Sequence, residues 1–327
     1  MPRYIRGDWD KSFNLNKNTK IWLNYLIGGI IAVVLLTAIY RQTSHQFAQF
    51  KGADFWGNDV IGWLLLAVLL MPVNLGIEIF KWKLLAGSAQ PLSRLNAVKS
   101  VLAGLAISLI TPNRIGEYPG RLLYLKPKNT IRLISVTLLG VFSQFFTLFI
   151  YGVAGLIFYN IHYPGYPQQI ILVIAILITT LLSLIFFRFE TISQRLEKLP
   201  YVTRFKTYGQ LLKRLTLKVQ LSIMGLSLLR FSIFTAQYLI LLTWMKIQFP
   251  IIPGFFMASL FFWTMAVLPS FALSELGVRG QVSIYLFQHF TDQTAGILAA
   301  SVMLWFINII LPSIVGSILL LRMKLLK

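Results

Sequence analysis

Long apolar runs recur along the chain, and they restrict its fold more than any other feature. A helix rises 1.5 Å per residue, so about 20 apolar residues cross the roughly 30 Å hydrocarbon core of a bilayer. Six runs reach that scale: 21–40, 60–80, 131–159, 169–187, 219–244 and 294–321. The first is too long for the apolar part of a signal peptide, and no small-residue cleavage site follows it. Such runs predict an all-α polytopic membrane protein, because helices satisfy their own backbone polar groups in lipid.

Charge supports this class. The chain is 57% hydrophobic and only 12% charged, against about 25% charged in soluble domains. Lys+Arg is 30 and Asp+Glu is 10, giving a net charge of +20. A soluble protein this basic would suggest nucleic acid. In a chain this apolar, the excess instead belongs in cytoplasmic loops, and no nucleic-acid partner is expected. Cys is 0, which excludes disulfides, thiolate metal sites and a Cys nucleophile. His45, His162 and His289 lie far apart, so no metal-binding spacing is present and no metal is expected. Neither a P-loop nor any other cofactor signature occurs, so no cofactor is expected.

Two stretches break the pattern. In 95–125, an apolar helix at 98–110 runs into Thr111-Pro112-Asn113-Arg114-Ile115-Gly116-Glu117-Tyr118-Pro119-Gly120-Arg121, then a short apolar arm. In 251–290, residues 254–268 run into Pro269-Ser270-Phe271-Ala272-Leu273-Ser274-Glu275-Leu276-Gly277-Val278-Arg279, then 282–290. Proline removes a helix donor and clashes with the preceding turn. Breaks of this kind persist at membrane depth only where protein or water surrounds the backbone. Both stretches read as re-entrant hairpins, giving six full spans plus two hairpins, or eight membrane segments.

With the N-terminus inside, this topology places most Lys and Arg on the cytoplasmic face, including a basic linker at 188–218. Only Arg41, Lys51 and Lys246 lie outside, opposite Asp54, Asp59 and Asp292. A full crossing at 95–110 would turn Lys126, Lys128 and Arg132 outward, against the positive-inside rule. The reading is therefore a cytoplasmic segment 1–20 and a single membrane domain 21–327. That domain divides into two halves, 21–160 and 169–321, each ordered span, span, hairpin, span and starting from opposite faces. Glu117 and Glu275 are 158 positions apart, and Pro112 and Pro269 are 157 apart. Broken segments at matching places in inverted halves point to a transporter-like site.

Seven charged residues fall at membrane depth: Glu78, Arg114, Glu117, Arg121, Arg230, Glu275 and Arg279. A charge at the bilayer centre costs at least about 2.5–3.5 kcal/mol, so such residues face protein or water and are functional candidates. Arg stays charged in a dry site and grips phosphate bidentately. The expected substrate-binding set is Arg114, Glu117, Arg121, Arg230, Glu275 and Arg279, with no catalytic residue. The competing reading is neutralisation within each hairpin, Arg114 with Glu117 at i,i+3 and Glu275 with Arg279 at i,i+4. Glu78, three residues before Lys81, reads as half of a surface ion pair. Arg230, in mid-span, needs a Glu or a wet cavity. Asn74, Gln144, Gln237 and Asn308 read as interhelical hydrogen bonders. Trp22, Tyr25, Tyr40, Trp63, Trp82, Tyr159 and Trp244 read as interface anchors.

The segment Thr111-Pro112-Asn113-Arg114-Ile115-Gly116-Glu117-Tyr118, followed by Arg121, resembles the TP-x-R-x-GE motif of the lysylphosphatidylglycerol synthase transmembrane (flippase-like) family. Glu78, Lys81, Trp82, Leu84 and Leu85 loosely resemble its second-span pattern. Pro269 through Leu276-Gly277-Val278-Arg279 resembles its late Pro…GxGxR(E) segment, although Gly280 stands where many members place Glu. The resemblance covers nearly the whole chain. Bifunctional bacterial members fuse this domain to a soluble aminoacyl-transferase, and no segment here is large enough to be one. The resemblance thus implies a stand-alone member that is not an enzyme. It would flip a phospholipid or other lipid-phosphate across the bacterial inner membrane, with both termini cytoplasmic. Its implied partners are membrane lipids, anionic or zwitterionic, and a lipid-synthesising enzyme. Two alternatives stay open: a membrane-embedded transferase on a lipid-linked substrate, and a non-transporting partner subunit of a lipid-modifying enzyme.

The Cys-free sequence makes the topology directly testable by single-cysteine labelling with a membrane-impermeant maleimide. Asp292→Cys should label on intact cells, and Lys206→Cys only after permeabilisation. Lys128→Cys decides the first hairpin: protection on intact cells is expected, whereas labelling from outside would mean a full crossing.

Overall fold

Helix is the one structure in which each apolar run can close its own hydrogen bonds without a neighbour. The structure, a computed structural model, describes residues 61–109, 111, 114–125, 130–188, 217–268 and 275–321. Every regular element among them is helical. In chain order these are α1 (Ile61–Ala89), α2 (Arg94–Ser108), α3 (Glu117–Leu122), α4 (Thr130–His162) and α5 (Tyr166–Phe187). They continue with α6 (Leu217–Trp244), α7 (Ile251–Val267), α8 (Glu275–Phe287), α9 (Thr294–Trp305) and α10 (Leu311–Leu321). A single π-helical stretch, Phe306–Ile310, joins α9 to α10.

Five helical segments are long and apolar enough to cross a membrane: Ile61–Ala89, Val136–His162, Tyr166–Phe187, Lys218–Trp244 and Thr294–Leu321. They correspond to five of the six expected spans. The run at 21–40 and most of the basic linker at 188–218 lie outside the described residues. α1 is longer than its apolar run, continuing through Lys81, Trp82 and Lys83 to Ala89. Its buried residues explain why: Asn74, Glu78, Lys81, Trp82, Leu85, Ala86 and Ala89 recur every three or four positions and form one inward stripe.

The broken stretches form two helix pairs. α2 is 15 residues, α3 six, α7 17 and α8 13. Each is shorter than the roughly 20 residues a crossing needs. Ser93 starts α2 as its N-cap, accepting from the Asn96 N–H at 3.2 Å. α3 folds back on α2, and α8 packs against α7.

The contact pattern is reciprocal. α1 and α6 pack against each other. Around them, α7 packs on α4, and α2 packs on α10, so the leading arm of each broken pair leans on the long helix of the other half. Both contacts rest on a glycine. A Cβ on Gly155 of α4 would lie 2.8 Å from the Phe256 carbonyl oxygen and 3.1 Å from the Leu260 backbone nitrogen. A Cβ on Gly316 of α10 would run into the Leu102 carbonyl of α2 and reach Ala106 at 3.1 Å. Leu102 and Leu260 are 158 positions apart, the offset that relates Glu117 to Glu275. Small residues let membrane helices approach this closely, where dispersion replaces the absent hydrophobic drive.

Polar side chains also join the helices. Gln237 on α6 donates to the Ala67 carbonyl of α1 at 2.6 Å and accepts from Asn308, in the π-helical stretch, at 2.8 Å. This is the interhelical role expected of both. Three expected interface anchors behave otherwise. Trp82, Tyr159 and Trp244 are buried, at 0%, 5% and 2% exposure, and belong to the core. Trp63 is exposed, and Trp22, Tyr25 and Tyr40 lie outside the described residues. Trp82 lies inside α1, which continues to Ala89, whereas Trp244 is buried although it ends α6.

Gly316→Val should cost about 1–3 kcal/mol, the usual range for overpacking. Gly225→Ala, where nothing lies within 4 Å of the added Cβ, should be neutral or stabilising through helix propensity. Thermal unfolding in nanodiscs compares them, and equal stability for both variants would remove the close-packing account.

Candidate functional site

The Thr-Pro break after α2 is built by its own motif. The Thr111 hydroxyl accepts from the Gly116 N–H at 2.9 Å and folds the chain back toward α2. A Cβ on Gly116 would sit 2.7 Å from the Thr111 side chain, so the turn needs glycine there. Arg114 holds φ 57° in this turn, a left-handed conformation that costs a non-glycine residue about 1–2 kcal/mol. Beyond it, α3 lies so close to α2 that a Cβ on Gly120 would be 2.8 Å from the Gly104 Cα. The Ser100 hydroxyl donates to the Arg121 carbonyl and ties the two arms together.

This fold-back aims Arg121 at α1. One guanidinium nitrogen meets Glu78 Oε1 at 2.8 Å, the other bonds Glu117, and the Cζ lies 5.4 Å over the Trp82 ring. This is a cation–π contact, made to a Trp82 that is already buried in the core stripe of α1. The other oxygen of Glu78 takes Lys81 Nζ at 3.0 Å and Arg230 Nη1 at 2.9 Å. Arg230 also donates from Nε to Asn74 Oδ1 at 2.9 Å. Gln144 Oε1 accepts from Lys81 at 2.9 Å and from Arg230 at 3.3 Å. A single carboxylate thereby joins α1, α3 and α6, with α4 linked through Gln144.

Glu78 is thus 4% exposed, not half of a surface pair. The Glu78–Lys81 pair itself forms, but inside the protein. The i,i+3 spacing identified the partner, and the extension of α1 past Phe80 moved both residues inward. Arg230 finds the Glu it needs. Glu117 pairs with Arg121, four residues on, within the same broken stretch. Asn74 and Gln144 make interhelical hydrogen bonds, as expected of them, and Lys81 is the expected partner of Glu78; sequence reasoning did not bring the three into one cluster. The signal was the helical stripe Asn74, Glu78, Lys81, Trp82.

Next to this cluster lies a cavity of about 500 Å³. Its polar wall is Arg114, Glu117, Tyr118, Gln144, Arg230 and Arg279. Its apolar wall includes Leu148, Phe231, Phe234, Phe262, Met265 and Val267. Val267 and Leu268 are exposed, so the chamber reaches the surface at the end of α7. Both broken pairs contribute: Arg114 and Glu117 from the first, Arg279 from the second. The Arg279 Cζ lies 5.7 Å over Phe261. Of the Glu78 cluster, Arg230 is the side chain most open to the chamber, at 25% exposure against 3% for Lys81 and 7% for Arg121. A second recess of about 80 Å³ continues inward past Glu117, Tyr118, Gln144 and Arg230 to Glu78 and Lys81.

Of the expected binding set, the structure brings Arg114, Glu117, Arg230 and Arg279 to one chamber and sets Arg121 behind it. The side chain of Glu275 lies outside the described residues, although its backbone begins α8. Among the described residues, no group of three His, Cys, Asp or Glu side chains is placed to hold a metal ion.

These features define a helical integral membrane protein with a charged chamber between two broken helix pairs. The sequence model of the lysylphosphatidylglycerol synthase TM region matches residues 21–316, and the chain belongs to that family. No curated protein and no solved structure matches it. Membership ties the chain to a membrane lipid-related function.

Glu78→Gln should cost about 3–5 kcal/mol, the usual loss when a buried ion cluster keeps its cations and loses a carboxylate. Adding Lys81→Met removes one stranded cation and should restore more than half of that loss. Thermal unfolding of the single and double variants measures this, and additive losses would contradict the shared-carboxylate geometry.

Proposed function

We propose that the protein translocates a phospholipid or other lipid-phosphate across the bacterial inner membrane, acting as a carrier rather than a catalyst of bond chemistry. The chamber carries this reading. Three Arg side chains, with Glu117, Tyr118 and Gln144, face a cavity whose opposite wall is aromatic and aliphatic, and which opens at the end of α7. Arg presents paired donors to phosphate oxygens and keeps its charge away from water. The apolar wall and the opening suit a molecule whose headgroup enters while its acyl chains stay in the bilayer.

On this reading α2–α3 and α7–α8 are re-entrant hairpins entering from opposite faces, with both termini cytoplasmic. Their short lengths, the reciprocal packing of α2 on α10 and α7 on α4, and the shared 158-residue offset support an inverted repeat. Alternating access then amounts to moving one broken pair against the other around Arg230, which Glu78 anchors.

Reconstitution with headgroup-labelled phospholipid tests the proposal. Protein-dependent transbilayer movement is expected. Arg114→Gln and Arg279→Gln, each folded by thermal unfolding, should slow it about ten- to hundredfold, the worth of one charged hydrogen bond. Movement no faster than in empty vesicles would sink the reading, and wild-type rates in both variants would remove the Arg site.

A further inference from the structure

Behind the chamber, the Glu78 cluster carries a charge that its own members do not balance. Lys81, Arg121 and Arg230 supply three cations, and Glu78 and Glu117 supply two carboxylates. These five linked groups therefore sum to +1. Arg114 and Arg279 stand on the chamber wall and do not line the recess at the cluster. A surplus cation inside a protein is strongly destabilising, because neither bulk water nor a carboxylate compensates it.

The recess at this cluster offers donors in want of an acceptor. It measures about 80 Å³, against about 500 Å³ for the chamber, and so suits a small ion rather than a lipid headgroup. Lys81, Trp82 and Arg121 line it and are all buried. Two of their N–H donors, Arg121 Nε and Trp82 Nε1, find no acceptor among the described residues. Buried N–H groups are seldom left unbonded, and those that are call for a water or an ion. Tyr118 and Gln144 line the same recess and carry further O–H and N–H groups. A water could accept from such donors, but it would leave the surplus charge in place. An anion answers both needs.

We infer that the recess binds a small monovalent inorganic anion of the size of chloride, beside Arg121 and Trp82, as the missing counterion of the Glu78 cluster. The ion completes the neutralisation of the charges that join α1, α3 and α6. This site lies behind the chamber, and the inference does not draw on the translocation reading.

Thermal unfolding of the full chain in neutral detergent tests it, with sodium gluconate replaced stepwise by sodium chloride or bromide at constant ionic strength. Gluconate is too large for the recess. Both halides should raise Tm along a saturating curve, by about 2–3 °C at ten times the dissociation constant. Trp82→Phe keeps the ring and loses one donor, so its half-saturation concentration should rise about two- to tenfold, the worth of one hydrogen bond. Lys81→Met brings the cluster to zero charge and should abolish the halide effect. Anomalous scattering from bromide-soaked crystals should place the ion beside Arg121 and Trp82, which decides the matter even if a variant fails to fold. Equal Tm in gluconate and halide would overturn the site, because it would mean that water fills the recess or that Lys81 gives up its proton. An undiminished halide effect in folded Lys81→Met, or bromide found only on the surface, would overturn it too. Halide stabilisation of a protein that moves no lipid would keep this site and remove the translocation reading. Lipid movement without any halide effect would do the reverse.

Discussion

One carboxylate, Glu78, organises the described half of the charged interior. Its two oxygens hold three cations, from α1, α3 and α6, at 2.8 to 3.0 Å. In an apolar surrounding none of these groups is tolerable alone, since a stripped ion loses several kcal/mol of solvation. Held together, they fix three helices at one point and leave Arg230 at the edge of the chamber. The cluster is costly as a source of stability, and it holds the Arg230 guanidinium on the chamber wall.

Close backbone contact provides the frame in which that point is held. Gly155 and Gly316 allow the leading arm of each broken pair to sit against the long helix of the other half. Gly104 and Gly120 allow α3 to fold onto α2, which delivers Arg121 to Glu78. The Thr111–Gly116 turn sets the start of α3 and puts Arg114 on the chamber wall in a left-handed conformation. The motif residues thus act at two levels, Thr111 and Gly116 shaping the turn, and Arg114, Glu117 and Arg121 supplying charge.

Much of this was legible in the sequence because lipid punishes ambiguity. Apolar length identified the described spans, and intramembrane charge identified Arg114, Glu117, Arg230 and Arg279, which meet at one cavity. Burial of Glu78 and Trp82 was not legible from hydropathy. A Lys-Trp-Lys sequence reads as a helix end at the membrane surface, and only the inward stripe of α1 shows that the helix continues as protein core. The pairing of Glu117 with Arg121 depends on α3 beginning at Glu117, which puts the two on one face, four residues apart. Tertiary meetings such as Arg230 with Asn74, 156 residues away, have no local signal at all.

The central claim is that Arg114, Arg230 and Arg279 share one lipid phosphate. A high-resolution structure of the protein in phosphatidylglycerol nanodiscs tests it most directly. The account predicts phosphate density within hydrogen-bond reach of these three guanidinium groups, with acyl chains leaving past Val267 and Leu268. A chamber closed by side chains or filled with water, with lipid confined to the outer helix faces, would contradict it.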